Sequence, residues 1–286
     1  MDANRDASGQ QPVSPPEQQG DRRADLDGGA ALTARPDGPA ARIGARLRAL
    51  PTAVVAAIVT FVGYVVLSVV MGGLGLLLTK VFLPGPIGRW DNGVNRWFLL
   101  RRTAFWNTWT DVGSVLAGTG TIVGIAGIAV VILLIRRHWR EITLLVTGLL
   151  AEISVFLTTT LIVPRARPSV PKLDAVPATS SFPSGHVAAA IVLYVGLAIV
   201  ISARIRSVFA RALVWVIALL LPVDVAFSRM YRGMHHPTDV MASLILGPGC
   251  LLLAVLATRS AFAASDLRDG REMQAHPTPE QLEAAR

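Results

Sequence analysis

The sequence predicts an all-α membrane protein, a polytopic bundle of six transmembrane helices. Of its 286 residues, 52% are hydrophobic and only 16% are charged, whereas soluble domains carry about 25% charged residues. The hydrophobic residues are also gathered into six blocks, each close to the ~20 residues that a helix needs to cross a bilayer. Backbone polar groups in lipid must be satisfied within their own segment, so we expect each block to be a helix.

The six predicted spans are separated by polar loops and flanked by polar ends. They cover about residues 53–78, 113–135, 142–163, 185–201, 208–227 and 240–257. Residues 1–41 are rich in Gly, Pro, Gln, Asp and Arg, a composition that cannot bury a core, so we predict a disordered N-terminal tail. The membrane domain then comprises residues 42–264, and a polar C-terminal tail follows over residues 265–286. No segment typical of a cleaved signal peptide precedes the first span, which we expect to act as its own insertion signal.

The loop between the first two spans, residues 80–112, is long and rich in tryptophan. Its tryptophans are spaced among arginines, at Trp90, Trp97, Trp106 and Trp109. Indole rings favour the headgroup depth of a bilayer, so this segment is predicted to lie in the membrane interface. The alternative is a lid or packing loop without a role at the membrane.

The net charge of +8 comes almost entirely from arginine. Such a charge suits nucleic acid, anionic lipid or an anionic substrate, but no basic stripe runs along a soluble domain, so nucleic acid is not an expected partner. Arginines cluster at residues 42–48, 136–140 and 204–211, which the positive-inside rule places in the cytoplasm. The basic residues of the 80–112 loop lie on the opposite side and go against the rule. We expect the other two loops on that side to be extracytoplasmic.

Three polar clusters interrupt the second half of the chain. They occupy residues 163–168, 181–186 and 228–239. The first two share one loop, and the third follows two membrane crossings later, so all three return to the same membrane face. This face would then carry six charged or titratable side chains, namely Arg165, Arg167, His186, Arg229, His235 and Asp239.

The composition of these clusters indicates a phosphate site. Arginines gathered at one place repel each other unless an anion lies among them, and guanidinium groups bind phosphate oxygens through paired hydrogen bonds. Ser184, Gly185 and His186 open the fourth predicted helix, whose free N–H groups and positive dipole end favour a phosphate. Gly185 has no side chain, so a phosphate can approach its backbone closely.

The spacing of His235 and Asp239 indicates a nucleophile and its orienting group. With Pro237 in the first turn of the sixth helix, Asp239 is expected to accept a hydrogen bond from one ring nitrogen of His235 and leave the other free to attack. His186 is expected to protonate the leaving oxygen. A metal site built from His186, His235, His236 and Asp239 is the chemical alternative, which the neighbouring arginines disfavour because they repel a dication.

These clusters resemble the signature of the type 2 phosphatidic acid phosphatase superfamily, which also includes glucose-6-phosphatase and the vanadium haloperoxidases. That signature reads Lys-x6-Arg-Pro, then Pro-Ser-Gly-His, then Ser-Arg-x5-His-x3-Asp. The matching positions are Arg167-Pro168, Pro183-Ser184-Gly185-His186, Ser228-Arg229, His235 and Asp239. The resemblance covers roughly residues 140–245, with one departure, because Thr160 stands where the superfamily has its lysine. We hypothesise that Arg165 takes over part of the missing phosphate contact.

The resemblance implies a metal-independent phosphatase that needs no cofactor and forms a phosphohistidine. His235 would attack phosphorus with Asp239 orienting it, and His186 would protonate the leaving group and then activate water. The phosphate oxygens would be held by Arg167, Arg229, Ser184 and Gly185.

A site at the membrane surface suits a lipid phosphate or a lipid (prenyl) diphosphate such as undecaprenyl diphosphate. The lipid substrate and the bilayer are therefore the expected partners, and the sequence does not indicate an oligomeric state. Two other functions stay open: a phosphoryl or head-group transferase of the same fold, and a degenerate site that binds an anionic lipid. A transporter is disfavoured, because the polar residues cluster at one surface rather than at the midplane.

Within the spans, Glu152 is either functional or packed between helices, and Asp224 is a candidate partner of Arg229.

Overall fold

The computed structural model describes residues 30–275, so most of the predicted N-terminal tail and the last residues of the C-terminal tail lie outside it. All regular elements of the described part are helical, which confirms the predicted all-α class. In this range a 3₁₀ turn, Ala30–Leu32, is followed by nine helices. These are α1 Pro39–Arg46, α2 Thr52–Phe82, α3 Pro86–Leu99, α4 Ala104–Leu116, α5 Thr119–Ile135, α6 Trp139–Ile162, α7 Gly185–Ser202, α8 Val208–Tyr231 and α9 Pro237–Ala275. The end of α2 (Leu78–Phe82) and the middle of α7 (Ile191–Val195) are π-helical.

Six membrane crossings fit these helices if the bent pair α4–α5 counts as one crossing. Within residues 30–275, α2, α6, α7, α8 and α9 are each long and apolar enough to span a bilayer. Between α4 and α5 the chain bends by 47°, and Gly118 precedes the first turn of α5. With 17 residues and a rise of about 1.5 Å per residue, α5 is shorter than a typical hydrocarbon core. The predicted second span therefore begins in α4 and is broken rather than continuous.

The helical part of the chain begins before the predicted tail boundary at residue 41, which lies inside α1. The Ala31 carbonyl accepts a hydrogen bond from Arg259 Nη2 at 2.6 Å. α1 packs against α9, where a Cβ on Gly44 would lie 2.9 Å from the α9 backbone. The predicted sixth span ends at residue 257, whereas α9 continues well beyond it. The composition of residues 1–41 did not predict the packing of α1 against α9, because this packing involves the part of α9 that extends beyond the predicted sixth span.

The bundle is built around α9, which packs against α2 and α6. Small residues let neighbouring helices approach closely. A Cβ on Gly247 of α9 would lie 2.8 Å from Ile191 of α7, and a Cβ on Gly113 of α4 would overlap the hydroxyl of Ser228 of α8. The outward faces of α2 and α8 are apolar and largely exposed, as expected of helices that face lipid. The Gly113 contact places α4 directly beside the end of α8 that carries the third polar cluster.

The tryptophan-rich loop folds into α3 and the start of α4. One face of α3 is buried and carries Asp91, Asn95 and Phe98, while Trp90 and Trp97 on the other face are each 50% exposed. The exposed indoles fit the predicted position in the interface, and the buried face fits the alternative of packing against the bundle. The segment has both features, and Asp91 reaches the polar clusters at the end of the bundle.

Candidate active site

The polar clusters converge at one end of the bundle, where the loop between α6 and α7 meets the loop between α8 and α9. The Leu173 N–H donates a hydrogen bond to the Arg232 carbonyl at 3.1 Å. Arg167 Nη1 donates to the Met234 carbonyl at 2.8 Å. These contacts between the two loops confirm the topological prediction that they share one face.

His235 lies between these loops, and its side chain is buried. Nδ1 is 2.8 Å from the Ser181 carbonyl oxygen, which can only accept, so we assign the proton to Nδ1 and the free electron pair to Nε2. Burial lowers the pKa of His235 to about 4, against a smaller opposing effect of Asp239. The imidazole is therefore neutral near pH 7, and its nucleophilic Nε2 accepts a long hydrogen bond of 3.4 Å from Arg167 Nη1.

The hydrogen bond predicted between His235 and Asp239 is replaced by the one to Ser181. Nδ1 of His235 lies 3.7 Å from Asp239 Oδ2, which is beyond hydrogen-bond range, because the Ser181 carbonyl is the closer acceptor. Asp239 Oδ2 instead accepts from Ser181 Oγ at 2.5 Å and from the His236 N–H at 2.8 Å. Asp239 thus holds Ser181 and the start of α9, and it orients His235 only indirectly. The His236 ring is buried beside the same carboxylate.

Arg165 does not have the phosphate-binding geometry hypothesised for it. Its guanidinium bridges two buried carboxylates, with Nη2 2.6 Å from Asp91 Oδ2 and Nη1 bonded to Asp239 Oδ1. Nη1 also donates to the Thr238 hydroxyl at 2.8 Å. These ion pairs compensate the charge of Arg165 inside the protein, so it is unsuited to replace the missing lysine. Thr160 makes no compensating contact either, since its hydroxyl donates to a carbonyl of its own helix.

Two other arginines keep a buried donor without a protein partner. The Nε atoms of Arg167 and Arg229 are buried and have no hydrogen-bond partner in the described part of the chain; the Nε of Arg165 is also unpaired, but both Nη groups of Arg165 are bound to carboxylates. Arg229 is held through Nη1, which donates to Asp174 Oδ2 at 2.7 Å and to Ser114 Oγ at 2.6 Å. Because buried guanidinium donors are costly to leave unpaired, both arginines fit a site that binds an anion.

Asp174, and not Asp224, is the carboxylate that holds Arg229. Asp224 accepts a hydrogen bond from Trp109 Nε1 at 2.8 Å and so ties α8 to α4. The Asp174 carboxylate also pairs with Arg232 at 2.6 Å, which makes it a bridge between two buried arginines. Asp174 is the single acid in the loop between α6 and α7. Its isolation beside a basic cluster is the sequence signal that could have identified it.

The start of α7 contributes a hydroxyl, backbone N–H groups and a histidine. Ser184 Oγ is buried and lacks a hydrogen-bond partner among residues 30–275. Gly185 and His186 are the first residues of α7, so their N–H groups have no acceptor within the helix. A Cβ on Gly185 would lie 2.9 Å from the Phe156 ring, so the missing side chain also lets α7 pack closely against α6. His186 is partly buried and lies at the same end of the bundle as His235.

The arrangement combines a neutral nucleophilic nitrogen with guanidinium and hydroxyl donors, which suits transfer of a phosphoryl group. The predicted residues all lie together at this end of the bundle, namely Arg165, Arg167, Ser184, Gly185, His186, Arg229, His235 and Asp239. Within the described residues, no group of three or more His, Cys, Asp or Glu side chains is placed to hold a metal ion. Asp91 was missed because it lies 74 residues before Arg165, although it is the one acid of α3 and follows Trp90 directly, which is a detectable signal. Glu152 is buried inside α6.

Comparisons with known proteins agree with this geometry. Residues 140–262, which contain all three polar clusters, match the PAP2 superfamily. The fold is similar to the crystal structure of a transmembrane PAP2 type phosphatidylglycerolphosphate phosphatase from Bacillus subtilis, with a TM-score of 0.55 and 21% sequence identity over 71% of this chain and 96% of that chain. No curated protein matches the sequence significantly. The segment that holds the site therefore matches the PAP2 superfamily, and the fold is similar to that of a PAP2 type phosphatase.

Proposed function

We propose that this chain is an integral membrane phosphatase that hydrolyses a lipid phosphate or a lipid (prenyl) diphosphate through a phosphohistidine on His235. One observation carries the proposal: a neutral, buried imidazole lies beside two arginines that keep unpaired donors. Nε2 of His235 holds its electron pair 3.4 Å from Arg167, whose charge attracts a phosphate to that atom. Helices long enough to span a bilayer support the membrane location.

The first step transfers the phosphoryl group to the protein. The nonbridging phosphate oxygens bind Arg167, Arg229 and the N–H groups at the start of α7, which stabilise the charge of the transition state. The Nε2 electron pair of His235 forms a P–N bond while the P–O bond to the leaving group breaks. The negative charge of the bound phosphate favours the protonated ring of His186, which donates its proton to the leaving oxygen, and a lipid alcohol or a lipid monophosphate departs.

The positive charge that develops on the His235 ring needs support from the opposite side. Nδ1–H donates to the Ser181 carbonyl, and the Asp239 carboxylate lies 3.7 Å from Nδ1. Both groups favour the charged ring, although only the carbonyl is hydrogen-bonded to it. This explains how a residue whose burial disfavours the cation can still form a charged intermediate.

The second step hydrolyses the phosphohistidine. His186, now neutral, takes a proton from a water molecule, whose oxygen forms the new P–O bond. The P–N bond breaks, its electron pair returns to Nε2 of His235, and inorganic phosphate leaves. Both histidines regain their starting protonation states, so the cycle is balanced in protons and charge.

The position of the site favours a lipid as the substrate. It lies at one end of the membrane-spanning helices, beside α3 with its exposed Trp90 and Trp97, where lipid phosphates are found. The similar structure from Bacillus subtilis is a phosphatidylglycerolphosphate phosphatase, which supports the same substrate class here. The arginine-rich segments at residues 42–48, 136–140 and 204–211 lie at the other end. We therefore propose that the site is extracytoplasmic.

Phosphate release from a panel of lipids tests the proposal. Detergent-purified protein is incubated, without added metal, with phosphatidate, phosphatidylglycerol phosphate and undecaprenyl diphosphate. His235→Ala removes the nucleophile, and His138→Ala is the matched control because His138 lies at the opposite end of α6. We expect wild type and His138→Ala to release phosphate, and His235→Ala to be at least about 10³-fold slower.

Three outcomes separate the parts of this proposal. Release that survives in His235→Ala would remove the phosphohistidine step while keeping the hydrolysis. No release from any lipid by folded wild-type protein would overturn the hydrolase. A transferase would then show phosphoryl transfer only with an added acceptor, whereas a degenerate site would bind anionic lipid without turnover.

A further inference from the structure

We propose that Asp91, on the tryptophan-bearing helix α3, is a positioning residue that holds the nucleophile in place through Arg165. This inference rests on the proposed function and extends it to a helix outside the residues that match the superfamily. Asp91 is separated from the phosphate-binding arginines and does not contact the His235 ring. It acts through a series of buried hydrogen bonds that ends at the Ser181 carbonyl.

Both oxygens of the Asp91 carboxylate are engaged. Asp91 is 1% exposed, and its Oδ2 lies 2.6 Å from Arg165 Nη2 and 2.6 Å from Thr238 Oγ1. Oδ1 accepts from the Thr238 N–H at 3.1 Å. Thr238 is the second residue of α9, so a carboxylate from another helix caps the positive end of α9. A buried charge is costly unless it is paired, so the packing of α3 alone would not require a carboxylate at the buried position of Asp91.

From Asp91 the network continues to the nucleophile. Arg165 Nη1 donates to Asp239 Oδ1, and Asp239 Oδ2 accepts from Ser181 Oγ at 2.5 Å. The Ser181 carbonyl in turn accepts from His235 Nδ1 at 2.8 Å. All five residues are buried, so their hydrogen bonds are poorly screened and strengthen each other. A displacement of Asp91 is therefore transmitted to the His235 ring.

The charge balance of the network explains why the charge on Asp91 matters. Arg165 carries one positive charge between two carboxylates, and its two Nη groups are divided between Asp91 and Asp239. Without the charge on Asp91, the guanidinium is drawn toward Asp239 alone, and the link to α3 is lost. Asp239 and Ser181 then move with it. Misplacing a reacting group by about 1 Å costs on the order of 10²-fold in rate.

The expected kinetic signature is a lower kcat with little change in KM. Arg167 and Arg229 are held by other groups, the Met234 carbonyl and Asp174 respectively. Binding of the phosphate in the ground state is therefore kept, whereas the alignment of His235 for attack is lost.

Asp91→Asn tests this role because it keeps the size of the side chain and removes its charge. We expect kcat to fall about 10²-fold while KM stays within a few-fold of wild type. Asp111→Asn is the matched control, since it makes the same change in an exposed carboxylate that pairs with Arg232 at 2.9 Å. Adding Arg165→Gln to Asp91→Asn should cost little more, because both residues act through one path.

Vanadate binding gives a readout that does not depend on knowing the lipid. Vanadate mimics the in-line transition state, so a displaced His235 should bind it about 10²-fold more weakly in Asp91→Asn. Binding of inorganic phosphate should stay unchanged. Thr238→Val serves as a second variant in case Asp91→Asn does not fold, because it removes the hydroxyl between Asp91 and Arg165 but keeps both charges. We expect about a tenfold loss of kcat for Thr238→Val.

A positioning role is overturned if folded Asp91→Asn has the kcat and the vanadate affinity of wild type. A rise in KM that accounts for the whole loss would also overturn it, as would full additivity with Arg165→Gln. If wild-type protein binds vanadate but hydrolyses no lipid, the proposed substrate class fails while vanadate affinity still decides the role of Asp91. Wild-type protein that binds no vanadate would overturn both proposals.

Discussion

Replacing Asp174 by asparagine should destabilise the protein far more than the same change at Asp111, although both carboxylates pair with Arg232. Asp174 also pairs with Arg229 at 2.7 Å and accepts from the Ser114 hydroxyl at 2.9 Å. The side chains of Arg229 and Arg232 are only 4% and 6% exposed. Without the charge on Asp174, two positive charges would remain buried side by side. Asp111, in contrast, is 62% exposed.

The size of the effect follows from the burial of these charges. Removing one partner of a buried ion pair costs about 3–5 kcal/mol, and the lower end applies because Asp174 is 19% exposed. For a chain of this size, about 3 kcal/mol corresponds to a fall in Tm of roughly 6–12 °C. An exposed ion pair contributes about 0–1 kcal/mol, so Asp111→Asn should lower Tm by less than about 4 °C.

Thermal unfolding in detergent measures this difference, with the single, buried Cys250 as the reporter. A fluorogenic thiol reagent reacts with Cys250 once the bundle opens. Inorganic phosphate should restore much of the stability lost in Asp174→Asn, because an anion can take the place of the carboxylate between the arginines. Equal Tm values for the two variants would refute the bridging role of Asp174. A variant that phosphate stabilises no more than wild type would refute the replacement of the carboxylate by an anion.

Three further predictions address the nucleophile, its loop and the membrane surface. Because burial lowers the pKa of His235 to about 4, the acid limb of kcat/KM, corrected for substrate ionisation, should have its midpoint near pH 4, where protonation removes the Nε2 electron pair; an acid limb centred near pH 6.5 would contradict this. Gly233→Ala should reduce stability by about 1–3 kcal/mol, because Gly233 has a φ of +75° and its Cβ would lie 2.8 Å from Val170; an unchanged Tm would argue against the strain. Replacing Trp90 and Trp97 by alanine should lower activity more on lipid in vesicles than on lipid in micelles, and equal losses would speak against an interfacial position.

The membrane fold and the meeting of the three clusters follow from local features of the sequence. A block of about 20 apolar residues predicts a spanning helix whatever its neighbours are, because the bilayer leaves no other way to satisfy the backbone. Counting such blocks puts both polar loops on one face. The bend between α4 and α5 and the contact of α1 with α9 were not predictable in this way, because they depend on packing between distant segments.

The sequence by itself determined that Arg167 and His235 belong to one site, because motif spacing and span counting bring them together. Only the tertiary structure decided which polar groups pair. Arg165 and Arg167 are two residues apart and chemically alike, yet Arg165 is bound by two buried carboxylates and Arg167 lies beside His235. A spacing of four placed Asp239 near His235, but the ring donates to Ser181, which is 54 residues away in the chain. Spacing constrains neighbours along one helix, whereas the choice of partner depends on burial and on distances between segments that meet only in the folded protein.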